Sequence, residues 1–240
     1  MKDVLIDRET FFGDPSLDSE LPFVNSEFWS SLIGHIEKDC PDSPRVVLDV
    51  GCHTGGLLHA LNLKFGPTEL FGIEPLPLAR RAAAELLNSA GAKATLLDPA
   101  EWDRVPSAAV DLMTSHEELY LEPDLGRFMR RLRRVLVARG TAYIVLGCHA
   151  ENPLWQTWKM SLVKAGHSVY DHLPLEIMQA AALAGLLPSV QPLRNSGWIT
   201  YDPLRADFKY PDIQAMLDHH YRYKLIFRLR AADDDRTTSS

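Results

Sequence analysis

The chain has 240 residues, 46% of them hydrophobic and 24% charged, with a formal net charge of -7. A chain of that length buries about 70–75% of its unfolded surface, so its core needs neither disulfides nor a structural metal. The acidic balance argues against a general nucleic-acid coat or adhesion to an anionic membrane.

Taken in order, residues 10–36 read as an amphipathic helix carrying Phe28, Trp29, Leu32, Ile33 and Ile36, which makes 1–40 a helical arm that closes over or packs against the rest. Nothing at Met1-Lys2-Asp3 reads as a signal sequence. The turn Pro41-Asp42-Ser43-Pro44 leads into a buried-strand run at 45–50, then a glycine-rich turn and a helix over 55–64. A second strand at 69–73 stops at Glu74-Pro75. Helix 76–89 ends at Gly91, strands follow at 94–97 and 109–114, and a helix over 122–137 ends at the stop signal Arg139-Gly140 before a strand at 141–146. Strands alternating with helices in this way predict right-handed βαβ units and a parallel sheet covered on both faces.

Beyond 147 the pattern changes. Residues 148–173 are rich in Trp, His and Tyr without a clean period, a helix is predicted at 174–184 and a strand near 187–193, and 195–212 is irregular. The run 222–230 alternates charged and apolar side chains, which predicts a half-exposed antiparallel strand near a sheet edge. The tail at 231–240 is expected to be disordered. The fold class is therefore α/β: a Rossmann-like, doubly wound, mostly parallel seven-stranded sheet with helices on both faces and an antiparallel edge strand. Residues 1–120 carry 9 basic and 20 acidic side chains, and 121–240 carry 16 and 12. Arg127, Arg130, Arg131 and Arg134 share one helical face opposite Phe128, Leu132 and Val135, which reads as a solvated surface helix, with an RNA or acidic-partner patch as the alternative. Cys40, Cys52 and Cys148 form no CxxC pair and leave an odd count, the usage of a reducing, cytoplasmic setting.

The informative stretch is Val46-Val47-Leu48-Asp49-Val50-Gly51-Cys52-His53-Thr54-Gly55-Gly56. A buried strand runs into a glycine turn that opens a helix, and Gly51 and Gly55 let backbone N–H groups approach a nucleotide-like ligand. The glycines do not follow GxGxxG, and Asp49 lies inside the turn. An acid there suits a ligand bearing a cation better than a pyrophosphate.

These residues resemble the class I S-adenosylmethionine-dependent methyltransferases over 45–147, with weaker likeness to 230. The resemblance implies S-adenosyl-L-methionine as cofactor, held by Asp49, Gly51, His53 and Gly55, with His53 standing where the family has its middle glycine. It implies that Glu74 takes the ribose hydroxyls, that Asp98 takes the adenine amino group, and that 111–119, Ser115 included, lies beside cofactor and acceptor. Asp98-Pro99 is also a good turn and helix start, and Glu74 could be a plain strand-end acid. The run Arg134-Val135-Leu136 through Gly140 resembles the family's approach to its fifth strand.

Methyl transfer needs alignment of acceptor, methyl and sulfur, and a base only where the nucleophile arrives protonated. Ligands bind at the carboxyl ends of strands in open α/β sheets, so His116 and then His149 are the candidate bases, each equally readable as a scaffold histidine. The acceptor side is expected in the insertions at 148–173 and 195–221. Trp155, Trp158, His167, Tyr170 and His172 with Trp198 and Tyr201 would form an aromatic wall suited to a small, flat molecule; a second hydrophobic core is the plainer reading. The spacing of His149, His167 and His172 lacks a ligand pattern, so no metal is expected. The implied function is methylation of an oxygen or nitrogen on a small, aromatic or heterocyclic acceptor, possible as a homodimer, with no membrane and no nucleic acid as partner. An RNA or protein methyltransferase and a non-catalytic binding protein are the alternatives.

Overall fold

The computed structural model describes residues 9–40, 42–204 and 210–232. The tail from 233 onward and part of the 195–221 insertion lie outside the described residues.

Seven strands form one sheet: β1 (Val46–Val50), β2 (Glu69–Ile73), β3 (Ala94–Leu97), β4 (Val110–His116), β5 (Leu136–Leu146), β6 (Leu186–Pro192) and β7 (Leu225–Ala231). Their spatial order is β3-β2-β1-β4-β5-β7-β6. β1 to β5 run parallel, and β7 is antiparallel to both β5 and β6, one place in from the edge. Seven α-helices accompany them among the described residues: α1 (Pro15–Asp39), α2 (Gly56–Phe65), α3 (Pro77–Ser89), α4 (Leu125–Val135), α5 (Trp155–Lys164), α6 (Pro174–Leu183) and α7 (Ile213–Asp218).

The period-2 alternation of the strands divides the core in two. Leu48, Val50, Phe71, Ile73, Ala142 and Ile144 face a cluster with Phe128 and Leu132 of α4 and Ile177 of α6. Their alternates Val47, Leu70, Tyr143 and Val145 face Phe28, Leu32 and Ile36 of α1, Leu57, Leu58 and Leu61 of α2 and Leu87 of α3. Both faces are thus covered, which is why the central strands read as continuous apolar runs. No described helix is long and apolar enough to cross a membrane.

Three elements depart from the sequence reading. β5 starts at Leu136, directly after α4, and runs on through Arg139, which takes a left-handed φ of 65° inside the strand where the pattern suggested a helix stop. The stretch 148–173 contains α5, whose one-sided burial of Trp155 and Leu162 is too sparse to show as a period. The start of the run 222–230 is a π-helical turn, His219–Tyr223, and β7 begins only at Leu225. The arginine face of α4 serves partly as structure: Arg131 lies over the Trp102 ring and Arg134 donates to the Val105 and Trp102 carbonyls.

Candidate active site

β1 leads to β2 on one side, while β4 pairs its other side, which creates the crevice that open α/β sheets use for ligands. A cavity enclosing about 1170 Å³ between atoms, its mouth included, lies at this point.

One half is built by the β1–α2 turn. Gly51 and Cys52 donate to the Ile73 carbonyl at 2.8 and 3.2 Å, and Gly55 donates to the Cys52 carbonyl. Gly51, His53 and Gly55 have φ of 77°, 45° and 82°. A left-handed residue at 53 explains a glycine preference there; histidine is among the side chains that tolerate it. His53 turns its ring to α1, where Nε2 comes within 3.4 Å of an Asp18 carboxylate oxygen. Gly51 is confined as well, because a Cβ would lie 2.6 Å from Glu118 Oε2.

Two buried carboxylates face this turn. Asp49 accepts a 2.7 Å hydrogen bond from the Thr114 hydroxyl, and burial pushes its carboxyl up to about 7, against the pull of that bond. Glu74 accepts from the His53 and Leu76 N–H groups, both at 2.8 Å. Burial raises its carboxyl too, with those bonds opposing. Both line the cavity. Carboxylates there are the right acceptors for an ammonium group and for ribose hydroxyls, so the residues present fit the expected cofactor.

The other half is an aromatic chamber formed by Phe11, Phe12, Phe28, Trp29, Tyr120, Trp158 and Tyr210, with His116, Glu117, Cys148, His219 and Lys224 among them. His116 ends β4. Its Nε2 is buried with no hydrogen-bond partner, and burial, aided by the Lys224 charge, drives the imidazole down to about 3. Glu117, at a left-handed φ of 54°, accepts from the Gly147 and Cys148 N–H groups and from Lys224 Nζ at 2.5 Å. Burial opposes its ionisation, but Lys224 prevails and holds the carboxyl at about 2. Lys224 also lies 4.2 Å above the Phe28 ring.

Of the residues singled out from sequence, Asp49, Gly51, His53, Glu74 and His116 line this one cavity. Gly55 lies behind it, packed on Ala83. Asp98 caps the 3₁₀ turn Pro99–Arg104 and pairs with Arg80 at 3.1 Å, away from the cavity lining. Ser115 is fully buried on β4 with its hydroxyl unpartnered. His149 bonds the Tyr223 carbonyl through Nε2, at 2.8 Å, and is not in the lining. In the expected aromatic wall, Trp155 is a core residue with 0% exposure, bonded to Asp171. His172 reaches the Glu122 carbonyl and Tyr170 stacks on it. His167 reaches the Phe11 carbonyl, Tyr201 packs edge-on against Tyr210, and Trp198 is 94% exposed. Only Trp158 of that wall lines the chamber.

Lining residues that the sequence reading did not single out include Phe11, Phe12, Tyr120, Cys148, Tyr210, His219 and Lys224, whereas Glu117 and Glu118 fall in the expected segment 111–119, and α1 supplies more of the lining than the two insertions do. For Lys224 a signal existed: an antiparallel strand beside β5 must start near the carboxyl end of β5, and the register pairs Leu146 with Leu225. No described group of three or more His, Cys, Asp or Glu residues is arranged to hold a metal.

With this geometry in place, residues 47–140 match the family described as a methyltransferase domain. That match covers β1 to β4 and the start of β5, so this part of the chain, with the turn that faces the cavity, is similar to a methyltransferase domain. Solved structures agree on the fold. A chain of the Haloferax volcanii complex between the Trm112 methyltransferase activator and its provisionally assigned methyltransferase is 18% identical, with a TM-score of 0.72 over 94% of this chain and 99% of that one. Haemonchus contortus phosphoethanolamine N-methyltransferase 2, with S-adenosyl-L-methionine bound, is 13% identical, with a TM-score of 0.61 over 85% of this chain and 52% of that one. Geranyl diphosphate C-methyltransferase from Streptomyces coelicolor, with S-adenosyl-L-homocysteine bound, is 15% identical, with a TM-score of 0.56 over 80% and 72%. No curated protein matches the chain by sequence.

Proposed function

We propose that the chain methylates an oxygen or nitrogen of a small, flat, aromatic or heterocyclic molecule. The observation that carries this reading is the buried, unpartnered Nε2 of His116 in an aromatic-walled chamber that continues into the Asp49–Glu74 turn. Bound S-adenosyl-L-methionine supplies an electrophilic methyl group on a positively charged sulfur. Asp49 and Glu74 would hold its ammonium and ribose ends, with the Gly51–Gly55 turn approaching its backbone-facing side.

The chain's own work is then positional. The rings of Phe28, Trp29, Tyr120 and Trp158 stack on the acceptor and exclude water, and alignment of this kind is worth about 7–11 kcal/mol. His116 stays unprotonated near neutrality, so its Nε2 is free to accept the acceptor's proton. The unpaired thiols Cys40, Cys52 and Cys148 fit a reducing, cytoplasmic setting. A second partner is worth one test, because the Haloferax volcanii neighbour occurs with an activator protein: co-purification from the native host would reveal one.

The deciding experiment is a methyl-transfer screen against phenols and heterocycles, wild type beside His116→Ala. Turnover with a flat acceptor, reduced about 10²–10⁴-fold in the variant, supports the reading. Turnover on RNA or protein alone, or cofactor binding without transfer to any acceptor, overturns it.

A further inference from the structure

Lys224 has no part in the reading above, on which the following rests. The residue is 3% exposed, and an ammonium taken out of water is costly unless paired. It has three N–H donors. Glu117 Oε1 takes one, the Phe28 face lies below the head group, and among the described residues no other hydrogen-bond acceptor is bonded to it. Donor capacity therefore remains on a charge that lines the chamber.

Its position is tightly fixed. Glu117 is gripped by two backbone N–H groups besides Lys224, and it is held in a left-handed conformation that is strained for a residue with a side chain. Such strain persists only where surrounding contacts over-determine it. Here they aim the carboxylate, and through it the ammonium. His116, the preceding residue, contributes the orphaned Nε2.

The fixed Lys224 ammonium and the unpartnered His116 Nε2, with the unpartnered Trp29 Nε1–H as a further donor in the same flat-walled lining, select a flat ligand whose oxygen can lose a proton. We propose that Lys224 binds the acceptor's oxygen as an oxyanion, so that the acceptor is a ring-borne acidic hydroxyl, a phenol or an enol, and not an amine. The O–H bond breaks, the proton passes to His116 Nε2 and on to water, and the electron pair stays on oxygen as the nucleophile. A buried imidazole held near 3 is a weak base, so ionisation needs a stabilising charge beside the oxygen itself. His219 and His220, also packed near Lys224, are held neutral by burial and by that charge and do not compete. A neutral amine gains nothing from a neighbouring ammonium, and a protonated one is repelled.

The test uses 4-nitrophenol, whose phenolate is yellow, titrated with cofactor-free protein across a pH series. Wild type, Lys224→Met and the double variant Lys224→Met/Glu117→Gln are compared, the last removing both charges if the single change unfolds the chain. Phenolate should be enriched about tenfold or more on wild-type protein relative to free dye, the effect of one nearby opposite charge, and the enrichment should vanish in the variants. Bound dye that titrates as in water, a shift that survives loss of Lys224, or no binding to wild type overturns the inference. Calorimetry with S-adenosyl-L-methionine separates the two claims. If the cofactor binds wild type while the dye result fails, only the acceptor inference falls; if the cofactor does not bind, the methyl-transfer reading falls.

Discussion

Asp49, Gly51, His53 and Glu74 come from two adjacent parallel strands and the turn between β1 and α2, whereas Phe28, His116, Cys148, Trp158, His219 and Lys224 come from five separate places in the chain. The first half is a local device: a strand end, a glycine turn and a helix start suffice to place its acids. The second exists only after the sheet has closed, when α1, the end of β4, α5 and the π-helical turn before β7 meet above it. Backbone geometry fixes the first half and long-range packing fixes the second. Changes on the two sides should therefore read out differently, with ligand affinity the larger loss on one and stability the larger loss on the other.

The largest effect expected from a single substitution is Glu117→Ala. It leaves Lys224 buried without its counter-ion, a loss of about 3–5 kcal/mol in denaturant unfolding, with Glu117→Gln retaining part of it. A loss below about 1 kcal/mol would show that Lys224 reaches water in solution and would erase the contrast between the halves. Next comes Glu74→Ala. Charge-assisted hydrogen bonds are worth about 1.5–3 kcal/mol, so calorimetric affinity for S-adenosyl-L-methionine should fall roughly ten- to hundredfold. Stability should fall too, because the His53 and Leu76 N–H groups lose their acceptor. Unchanged affinity would detach this half from the cofactor.

The same contrast explains what the sequence disclosed. The strands from β1 to β4 fall within a few residues of their predicted places, since buried runs bounded by turn residues are local signals, and Asp49 and Glu74 follow from where those strands end. Asp98 shows the limit of spacing alone: the side chain that a pattern offers for adenine also caps the 3₁₀ turn after it, and spacing does not separate the two uses. The tryptophans mislead for another reason. A large aromatic in a long insertion serves equally well as a core plug, as Trp155 does, or as an exposed side chain, as Trp198 is, and only contacts distant in sequence distinguish these uses. The π-helical turn carries no periodic signature, so His219 and the aim of Lys224 were out of reach.

A pH series sharpens the comparison with a smaller effect. Asp49 has its carboxyl raised to about 7 from 3.8 by burial, so the native chain keeps a proton through this window that the unfolded chain has released. Its contribution to stability therefore falls as pH rises from the unfolded value toward about 7. Binding has the opposite sign: a cationic cofactor prefers the ionised carboxylate, so affinity should rise as pH passes upward through about 7, and binding below it should release protons. Asp49→Asn should flatten the calorimetric profile. Thr114→Val, which removes the hydrogen bond opposing the shift, should move the midpoint up. A wild-type profile that is flat across neutrality would mean that Asp49 is solvated and does not face the ligand.

The smallest effect concerns α1, which touches both halves. Asp18 accepts from the Phe11 and Phe12 N–H groups at 2.6 and 3.0 Å while lying 3.4 Å from His53; Phe11 in turn packs on His167 and receives its ring nitrogen at the carbonyl. Phe28, farther along the helix, lies under Lys224. Pro22 interrupts the hydrogen-bond ladder between these two stations, so the first turns of α1 can yield while Phe28, Leu32 and Ile36 stay buried. Asp18→Ala should cost about 0.5–2 kcal/mol, as loss of a helix cap does, and should do so locally: amide exchange quickens at 9–14 but not in β1 or β4. Cofactor association should then speed up with dissociation, leaving the equilibrium affinity nearly unchanged. Unaltered exchange at 9–14 would assign the hold on this segment to Phe11 and His167, and would make the arm a fixture of the acceptor half alone.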